Sequence, residues 1–319
     1  MFVIIGSIGS ILFYYLMLIA PSYLILLIYR FCQGSFTIMG LQLLVSLILD
    51  NSSSENRGKY LGIFLVLGMG LGLMLGGIIA SFCVFFPYYF AIGANLIVLA
   101  ISLFLIKEPL SLKKRPALKE NLPIVKCEQH LIIPRIFNFV DCFHTSFIIF
   151  HIPLYVQIVL GLGPEVRGMI LGIYALCFII LLSPVGKLSD KCGRYKFLII
   201  GSLGFGINLC LIGYLGSFGL YTLAISFLVL GIFSGLRAAP NMALVSDFVE
   251  EKDNTMAMGF FTFIGNLGVI LGPLVGGIVA SYGDFILVFI IAGLIELISL
   301  GICLLYVAKF RDIIQAKDF

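Results

Sequence analysis

The chain contains a succession of apolar segments that are each long enough to cross a lipid bilayer as a helix. A bilayer core takes about 20 apolar residues per helix, and 61% of the 319 residues are hydrophobic whereas 11% are charged. Runs such as 285–292 are apolar on every face, which excludes the alternating strands of a membrane barrel. We therefore predict an all-α polytopic membrane protein with ten spans, near residues 2–20, 23–49, 60–84, 88–106, 134–160, 166–186, 196–214, 219–247, 255–281 and 285–308.

The basic residues fall on one side of these predicted spans. All 20 Lys and Arg residues except Arg30, Arg167 and Arg237 lie in alternate connections or at the bordering span ends. The positive-inside rule makes that side cytoplasmic, so we expect a cell-membrane protein with both termini in the cytoplasm. The polar connector 107–133 is expected to be a cytoplasmic linker. It divides the chain into a bundle of four helices at 1–106 and a bundle of six helices at 134–319.

The two predicted bundles resemble each other in sequence. Residues 2–9 (FVIIGSIG) match residues 197–204 (FLIIGSLG), and glycines 68, 72, 76 and 77 match glycines 268, 272, 276 and 277 at a constant offset of 200. Internal repeats of this kind are typical of secondary transporters. The second copy has two more predicted spans upstream of its match, whereas only Met1 precedes the first. We therefore expect the first bundle to lack two helices relative to the second.

The predicted turn between the sixth and seventh spans carries a motif, Gly186-Lys-Leu-Ser-Asp190-Lys-Cys-Gly193-Arg194. It resembles the G-x-L-x-D-[RK]-x-G-R signature of the major facilitator superfamily. Its glycines would permit a tight turn, and Asp190 would pair with nearby cations. The resemblance implies a two-bundle fold in which Gly186, Asp190, Gly193 and Arg194 form a cytoplasmic latch between conformations. The alternative is an ordinary basic loop, which does not explain the spacing of Gly and Asp.

Two further motifs resemble the drug/proton antiporter branch of this family. Arg30-Phe-Cys-Gln33-Gly34 is similar to its fourth-helix R-x-x-Q-G, which implies a role in proton coupling. An Arg inside a bilayer costs about 2.5–3.5 kcal/mol, and the alternative is a structural cation satisfied by backbone carbonyls. The branch carries G-x8-G-x3-G-P-x2-G-G in its fifth helix, but the corresponding third span here has Leu73 in place of Pro and Lys59 in place of the first Gly. The full pattern lies instead in the ninth span, which is equivalent to the family's eleventh helix, with Gly259, Gly268, Gly272, Pro273, Gly276 and Gly277. Glycines four apart let helices approach closely, so packing alone also explains this pattern.

Ionisable residues inside the fifth and eighth spans are candidates for a transport pathway. Asp141, His144 and His151 fall within an arc of about 80° on one helix face, and His titrates near physiological pH. These three residues suit a proton relay; the alternative is a shallow Asp141 that pairs with Arg135. Arg237 also needs an anionic partner in the bilayer, and Asp141 is a candidate. A purely structural ion pair is the alternative.

The resemblance implies secondary active transport of a small molecule by alternating access, and the antiporter-like motifs favour proton-coupled efflux of lipophilic or drug-like compounds. A nutrient or metabolite symporter of the same fold and a non-transporting fragment are the alternatives. We expect no enzyme: the sequence has no G-x-x-x-x-G-K-[ST] loop for ATP. The expected partners are the lipid bilayer, a small-molecule substrate and protons. The eight cysteines include no C-x-x-C pair, and we expect no cofactor, no metal, no nucleic-acid partner and a monomer.

Overall fold

The computed structural model describes residues 2–50, 60, 63–64, 66–105, 131–248 and 254–309. Within these ranges the regular structure is helical and contains no strand. The helices are α1 (Phe2–Leu18), α2 (Tyr23–Asp50), α3 (Gly72–Phe82), α4 (Phe86–Leu105), α5 (Ile132–Ile158), α6 (Pro164–Cys192), α7 (Arg194–Leu215), α8 (Leu220–Phe248), α9 (Asn254–Ala280) and α10 (Phe285–Lys309). A π-helical segment, Val66–Leu71, precedes α3. The predicted all-α class is confirmed.

Eight of the described helices are long and apolar enough to cross a membrane, and the apolar segments Val3–Leu18 and Val66–Phe82 are shorter. Large apolar side chains cover the outer faces of these helices. Phe104, Tyr221 and Leu305, for example, are more than two-thirds exposed. A surface of this kind is suited to lipid, because lipid tails are as apolar as the side chains they touch.

The chain divides into two compact units. Unit 1 comprises residues Met1–Leu65 and Leu75–Arg115, and unit 2 comprises Val66–Met74 and Pro116–Phe319. The division near residue 115 lies inside the predicted linker 107–133, most of which is outside the described residues. The last residues of that prediction are helical, because α5 already begins at Ile132.

In unit 1, helix α1 packs against α2 and α4. The Phe13 ring stacks on Phe36 of α2 with centroids 5.7 Å apart, and the hydroxyls of Ser10 and Thr37 are 3.0 Å apart. In unit 2, α9 packs on α5, α8 packs on α6 and α7, and α10 packs on α7. Buried aromatic and aliphatic side chains fill the space between α5, α7, α8 and α10.

The sequence repeat is also a structural repeat. Gly9 of α1 lies directly against the Phe36 ring of α2, and its counterpart Gly204 of α7 lies directly against the Phe233 ring of α8. Each glycine leaves the space that the aromatic ring of the neighbouring helix fills. The pair α1–α2 in unit 1 is therefore equivalent to the pair α7–α8 in unit 2.

The structure differs from the prediction in two of the spans. The third span is not a continuous α-helix, because Val66–Leu71 is π-helical; this segment contains glycines, which are weak helix formers. The sixth span does not end at residue 186, because α6 continues to Cys192. Gly186 is thus a helical residue rather than part of a turn, and Gly193 alone, with a positive φ of 95°, turns the chain into α7.

Candidate functional site

Helices α8 and α10 both pack closely against α7. A Cβ atom added at Gly201 would lie 3.0 Å from the backbone nitrogen of Arg237, so α8 touches α7 at this point. A Cβ added at Gly293 of α10 would lie 2.6 Å from the carbonyl oxygen of Gly206 on α7. Because small residues at both crossings permit this approach, α8 and α10 can direct polar side chains towards the same point.

Arg237 of α8 lies between two carboxylates from different helices. Its Nη2 atom is 2.7 Å from Asp141 Oδ1 of α5, and its Nη1 atom is 2.6 Å from Glu296 Oε2 of α10. The guanidinium carbon also lies 3.7 Å from the centre of the Phe205 ring of α7. Arg is suited to such a position because its planar cation stacks on aromatic faces and is weakly hydrated. One residue therefore connects four helices.

His144 of α5 binds the same carboxylate as Arg237. Its Nδ1 atom is 3.2 Å from Glu296 Oε2, and its Nε2 atom is 2.8 Å from the carbonyl oxygen of Ala292. A carbonyl oxygen only accepts hydrogen bonds, so Nε2 is the donor in that contact. We call Asp141, His144, Arg237 and Glu296 the charge cluster.

The charge cluster is almost completely closed to its surroundings. The side chains of His144 and Glu296 have no exposed surface, and that of Arg237 is 3% exposed. Asp141 is the most accessible member, with 19% of its side chain exposed, and it lines a narrow crevice with Asn241. Buried charges are costly unless they are paired, and this arrangement pairs each of them across a helix boundary.

The three predicted relay residues of α5 are not together. Asp141 and His144 belong to the charge cluster, and Arg237 pairs with Asp141, the partner that the sequence suggested for it. His151 lies two turns further along α5, where its Nδ1 atom is 3.0 Å from the Phe147 carbonyl oxygen. Its ring also lies directly against Gly276 of α9. His151 therefore occupies a helix contact, and its predicted role in a relay stays a prediction.

The predicted latch residues lie at the junction of α6 and α7. Arg194 Nη2 donates to Asp190 Oδ1 at 3.0 Å, and Arg194 Nη1 is 2.8 Å from Asp247 Oδ2 near the end of α8. Gly193 makes the turn that places Arg194 within reach of both carboxylates. Gly186 is one to two turns away on α6, and a Cβ added there would lie 3.9 Å from Ala239 of α8. Arg194 therefore ties the ends of three helices together.

Arg30 and Gln33 form a polar chain in unit 1. Arg30 Nη1 donates to Gln33 Oε1 at 2.8 Å, and Gln33 Nε2 donates to Thr37 Oγ1 at 2.7 Å. Gln33 is buried, and Arg30 is exposed at the outside of α2. These contacts hold both residues on one helix face but do not include a carboxylate.

The repeat-related position of Arg237 in unit 1 carries no charge. A Cβ atom added at Gly6 of α1 would lie 3.0 Å from the backbone nitrogen of Gly40. A Cβ atom added at Gly201 of α7 would lie at the same distance from the backbone nitrogen of Arg237. Gly40 is thus the counterpart of Arg237. The arginine of the charge cluster is therefore not shared by the two copies of the repeat.

The predicted glycine stripe of α9 packs in part against α5. Gly268 and Gly272 lie directly against backbone carbonyls of α5, and Gly276 lies against the His151 ring. Among the described residues, no atom lies within 4 Å of a Cβ added at Gly259 or Gly277, so these two glycines are outside the contact with α5. Pro273 lies inside α9, which continues unbroken to Ala280. Only one face of α9 can contact α5, and the glycines that contact α5 lie on that face.

Comparison with known proteins identifies the family. The model of the Major Facilitator Superfamily matches residues 1–166 and 136–315, which together span nearly the whole chain. The chain belongs to the Major Facilitator Superfamily. Members of this family are multi-pass membrane proteins, in agreement with the helices described above. No group of three or more metal-ligand side chains is found within the described ranges, and Arg237 supplies the cation in the charge cluster.

Several relatives within this family are named as resistance proteins. The chain is 31% identical to the multidrug resistance protein MdtG of Serratia proteamaculans over 185 residues, which are 56% of the chain and 44% of the relative. It is 31% identical to the class H tetracycline resistance protein of Pasteurella multocida over 145 residues, 46% of the chain and 34% of the relative. The methyl viologen resistance protein SmvA of Salmonella typhimurium is 28% identical over 147 residues, 44% of the chain and 28% of the relative.

These matches cover less than half the length of each relative. They favour a transporter over an enzyme, because the family and the names of its members concern transport and resistance. The expected lack of two helices in the first bundle stays a prediction.

Two residues of these sites were missed by sequence reasoning. Glu296 is the only charged residue of α10 before Lys309. A lone carboxylate in the middle of an apolar span indicates a functional or paired residue, so the sequence does contain a signal for Glu296. Asp247 lies at the border of a predicted span, where acidic residues are common. The sequence offered no signal that it would reach Arg194.

Proposed function

We propose that this Major Facilitator Superfamily member is a secondary active transporter that exports small lipophilic or drug-like compounds in exchange for protons. The observation that carries the proposal is the charge cluster, in which Arg237 and His144 share the buried carboxylate of Glu296. Ionisable groups inside a membrane protein are costly, and they commonly mark ion or proton pathways. The names of the tetracycline, multidrug and methyl viologen resistance relatives support the direction of transport and the substrate class.

The transport step proposed is alternating access, with the α6–α7 junction as a conformational latch. Arg194, whose side chain is 16% exposed, pairs with the exposed carboxylates of Asp190 and Asp247, and ion pairs with a solvent-exposed partner are worth about 0–1 kcal/mol each. Contacts this weak can be broken and remade in each transport cycle. The junction also carries Lys187, Lys191 and Lys196, so we place it on the cytoplasmic side together with both termini.

Efflux from energised cells tests the proposal. A bacterial strain that lacks its own exporters is made to produce the chain and is loaded with labelled tetracycline or methyl viologen. We expect cells with the chain to lose the label faster than cells without it, and a protonophore to remove the difference. Accumulation instead of loss would indicate a symporter of the same fold. Equal retention of both compounds by the two strains, with the chain present in the membrane, would contradict drug efflux.

A further inference from the structure

Unit 1 contains a cavity of about 120 Å³ between α1, α2 and α4, which we call the unit 1 cavity. Three hydroxyls and one amide line its polar side, and they belong to Ser7, Ser10, Thr37 and Asn95. Aliphatic and aromatic side chains line the rest, and none of the described residues around the cavity is ionisable. An apolar cavity of about 150 Å³ takes up benzene, so the unit 1 cavity has room for a group of about the size of a small ring.

The unit 1 cavity occupies the position that the charge cluster takes in unit 2. Gly40, the counterpart of Arg237, lines it. Val98 follows the sequence ANLI in α4, and Glu296 follows the similar sequence AGLI in α10. Val98 lines the cavity together with Gly40, just as Glu296 contacts Arg237. The two charged side chains of unit 2 therefore have a glycine and a valine as their counterparts.

A third difference between the two copies enlarges the space. The match of residues 2–9 with residues 197–204 aligns the residues that follow, Ser10 and Phe205. In unit 2 the centre of the Phe205 ring lies 3.7 Å from the guanidinium carbon of Arg237, whereas in unit 1 a small hydroxyl side chain takes the place of the ring. Protein interiors contain few voids larger than a water molecule, and the exchange of three large side chains for small ones accounts for this one.

The polar side of the unit 1 cavity offers both a hydrogen-bond donor and an acceptor. Gln33 Nε2 donates to Thr37 Oγ1, and the hydroxyls of Thr37 and Ser10 are 3.0 Å apart. One hydroxyl proton makes this bond, so the other proton of the pair remains available. Asn95 Nδ2 donates to the carbonyl oxygen of Ala91, which leaves its Oδ1 as an acceptor. Among the described residues, that proton and that oxygen have no other partner.

We propose that the unit 1 cavity binds an uncharged group that both donates and accepts hydrogen bonds, namely a carboxamide or a ring hydroxyl of a small molecule. Such a group would bond the free hydroxyl proton and the Asn95 oxygen, and the attached ring would contact Phe36 and Val98. A cation is disfavoured, because no carboxylate lines the cavity and an unpaired charge is costly to bury. The inference rests on the proposed function only where it assigns this group to an exported substrate.

Fluorine-19 nuclear magnetic resonance of a small probe tests binding without transport. The full chain in lipid nanodiscs is titrated with para-fluorophenol, and fluorobenzene, which lacks the hydroxyl, is the matched probe. Relative to uptake by nanodiscs without protein, we expect saturable binding of para-fluorophenol and binding of fluorobenzene that is weaker by about two- to tenfold, because hydrogen bonds are lost. Equal binding of the two probes, or no saturable binding of para-fluorophenol, would overturn the proposal.

Variants of the lining residues locate the bound probe. In Gly40→Leu the new side chain enters the cavity, because no described atom lies within 4 Å of a Cβ added there, and we expect saturable binding to be lost. Ser10→Ala keeps the space but removes one hydroxyl, and it should weaken binding about two- to tenfold. The control Gly93→Leu adds the same side chain to open space on α4 outside the cavity and should leave binding unchanged. Wild-type binding in folded Gly40→Leu and Ser10→Ala would place the probe elsewhere and refute the site.

Efflux of two compounds separates this inference from the proposed function. Tetracycline carries a carboxamide and ring hydroxyls, whereas methyl viologen is a dication without a hydrogen-bond donor. We expect Gly40→Leu to lower the ratio of tetracycline efflux to methyl viologen efflux by about two- to tenfold, and Gly93→Leu to leave it unchanged. If Gly40→Leu exports both compounds in the wild-type ratio, the assignment of the cavity to a substrate is wrong and the transport proposal stands. If the probe binds but neither compound is exported, the transport proposal fails and the binding site stands.

Discussion

Removal of Arg237 gives the largest stability effect that the structure predicts. In Arg237→Met, the carboxylates of Asp141 and Glu296 lose the guanidinium that lies 2.7 and 2.6 Å from them. At an effective dielectric constant of about 20, a pair of unit charges about 4 Å apart contributes about 4 kcal/mol. The desolvation cost of Arg237 is regained in the variant, so the net loss is smaller than two such pairs. We expect a destabilisation of about 3–5 kcal/mol, the range for breaking a buried ion pair.

A combined variant separates charge from packing. Asp141→Asn and Glu296→Gln added to Arg237→Met leave no uncompensated carboxylate, and neutral replacements of buried ion pairs are often tolerated. We expect the triple variant to recover most of the lost stability. Arg167→Met is the matched control, because Arg167 lies in the first turn of α6 and bonds the exposed side chain of Gln157. Its loss is expected to cost less than about 1 kcal/mol.

Unfolding in detergent mixtures measures these differences. The chain has no Trp, so the reaction of the buried thiol Cys303, which is 2% exposed, with a fluorescent reagent can report unfolding. The midpoint in increasing sodium dodecyl sulfate gives the free-energy difference between variants. If Arg237→Met costs less than about 1 kcal/mol, or if the triple variant is no more stable than the single one, the electrostatic account of the cluster is wrong.

Three further variants, two of them with a matched control, test the packing and the latch. In Gly272→Val the new side chain would overlap the backbone of α5, and we expect a loss of unfolding free energy of about 1–3 kcal/mol. The control Gly277→Val, which has open space around it among the described residues, is expected to be near neutral, and the same unfolding assay compares the two. Gly193→Ala forces a side chain into a backbone with φ of 95° and should cost about 1–3 kcal/mol, measured as a shift of the unfolding midpoint. Asp190→Asn should reduce efflux at an unchanged membrane level, whereas Lys191→Gln should not, and normal efflux in Asp190→Asn would remove the latch role.

The fold was largely predictable because the hydrophobic signal is strong and local. A span of about 20 apolar residues predicts a helix without knowledge of its neighbours, and all ten predicted segments contain helical structure. The errors occur where helices end. Residues 187–192 contain lysines and an aspartate and were expected to be a turn, yet they continue α6. Polar residues are compatible with a helix that extends beyond the bilayer, so composition alone does not place its end.

The charge cluster was only half predictable, for a physical reason. Asp141, His144 and Arg237 are recognisable because ionisable residues in a bilayer need partners. Which partner each one takes depends on the packing of α8 and α10 against α7 at Gly201 and Gly206, and a single sequence does not give such crossings. For the same reason, the sequence shows that His151, Asp141 and His144 share one face of α5, but it does not show that His151 packs against α9.

The most direct test of the account is a simultaneous measurement of proton and substrate movement. The full chain is reconstituted in liposomes that contain a pH-sensitive dye, and an imposed pH gradient is used to drive labelled tetracycline or methyl viologen across the membrane. We predict that substrate and protons move in opposite directions, that reversing the gradient reverses the substrate flux, and that liposomes without protein show neither movement. A substrate flux through the protein that does not respond to the pH gradient would contradict proton-coupled efflux.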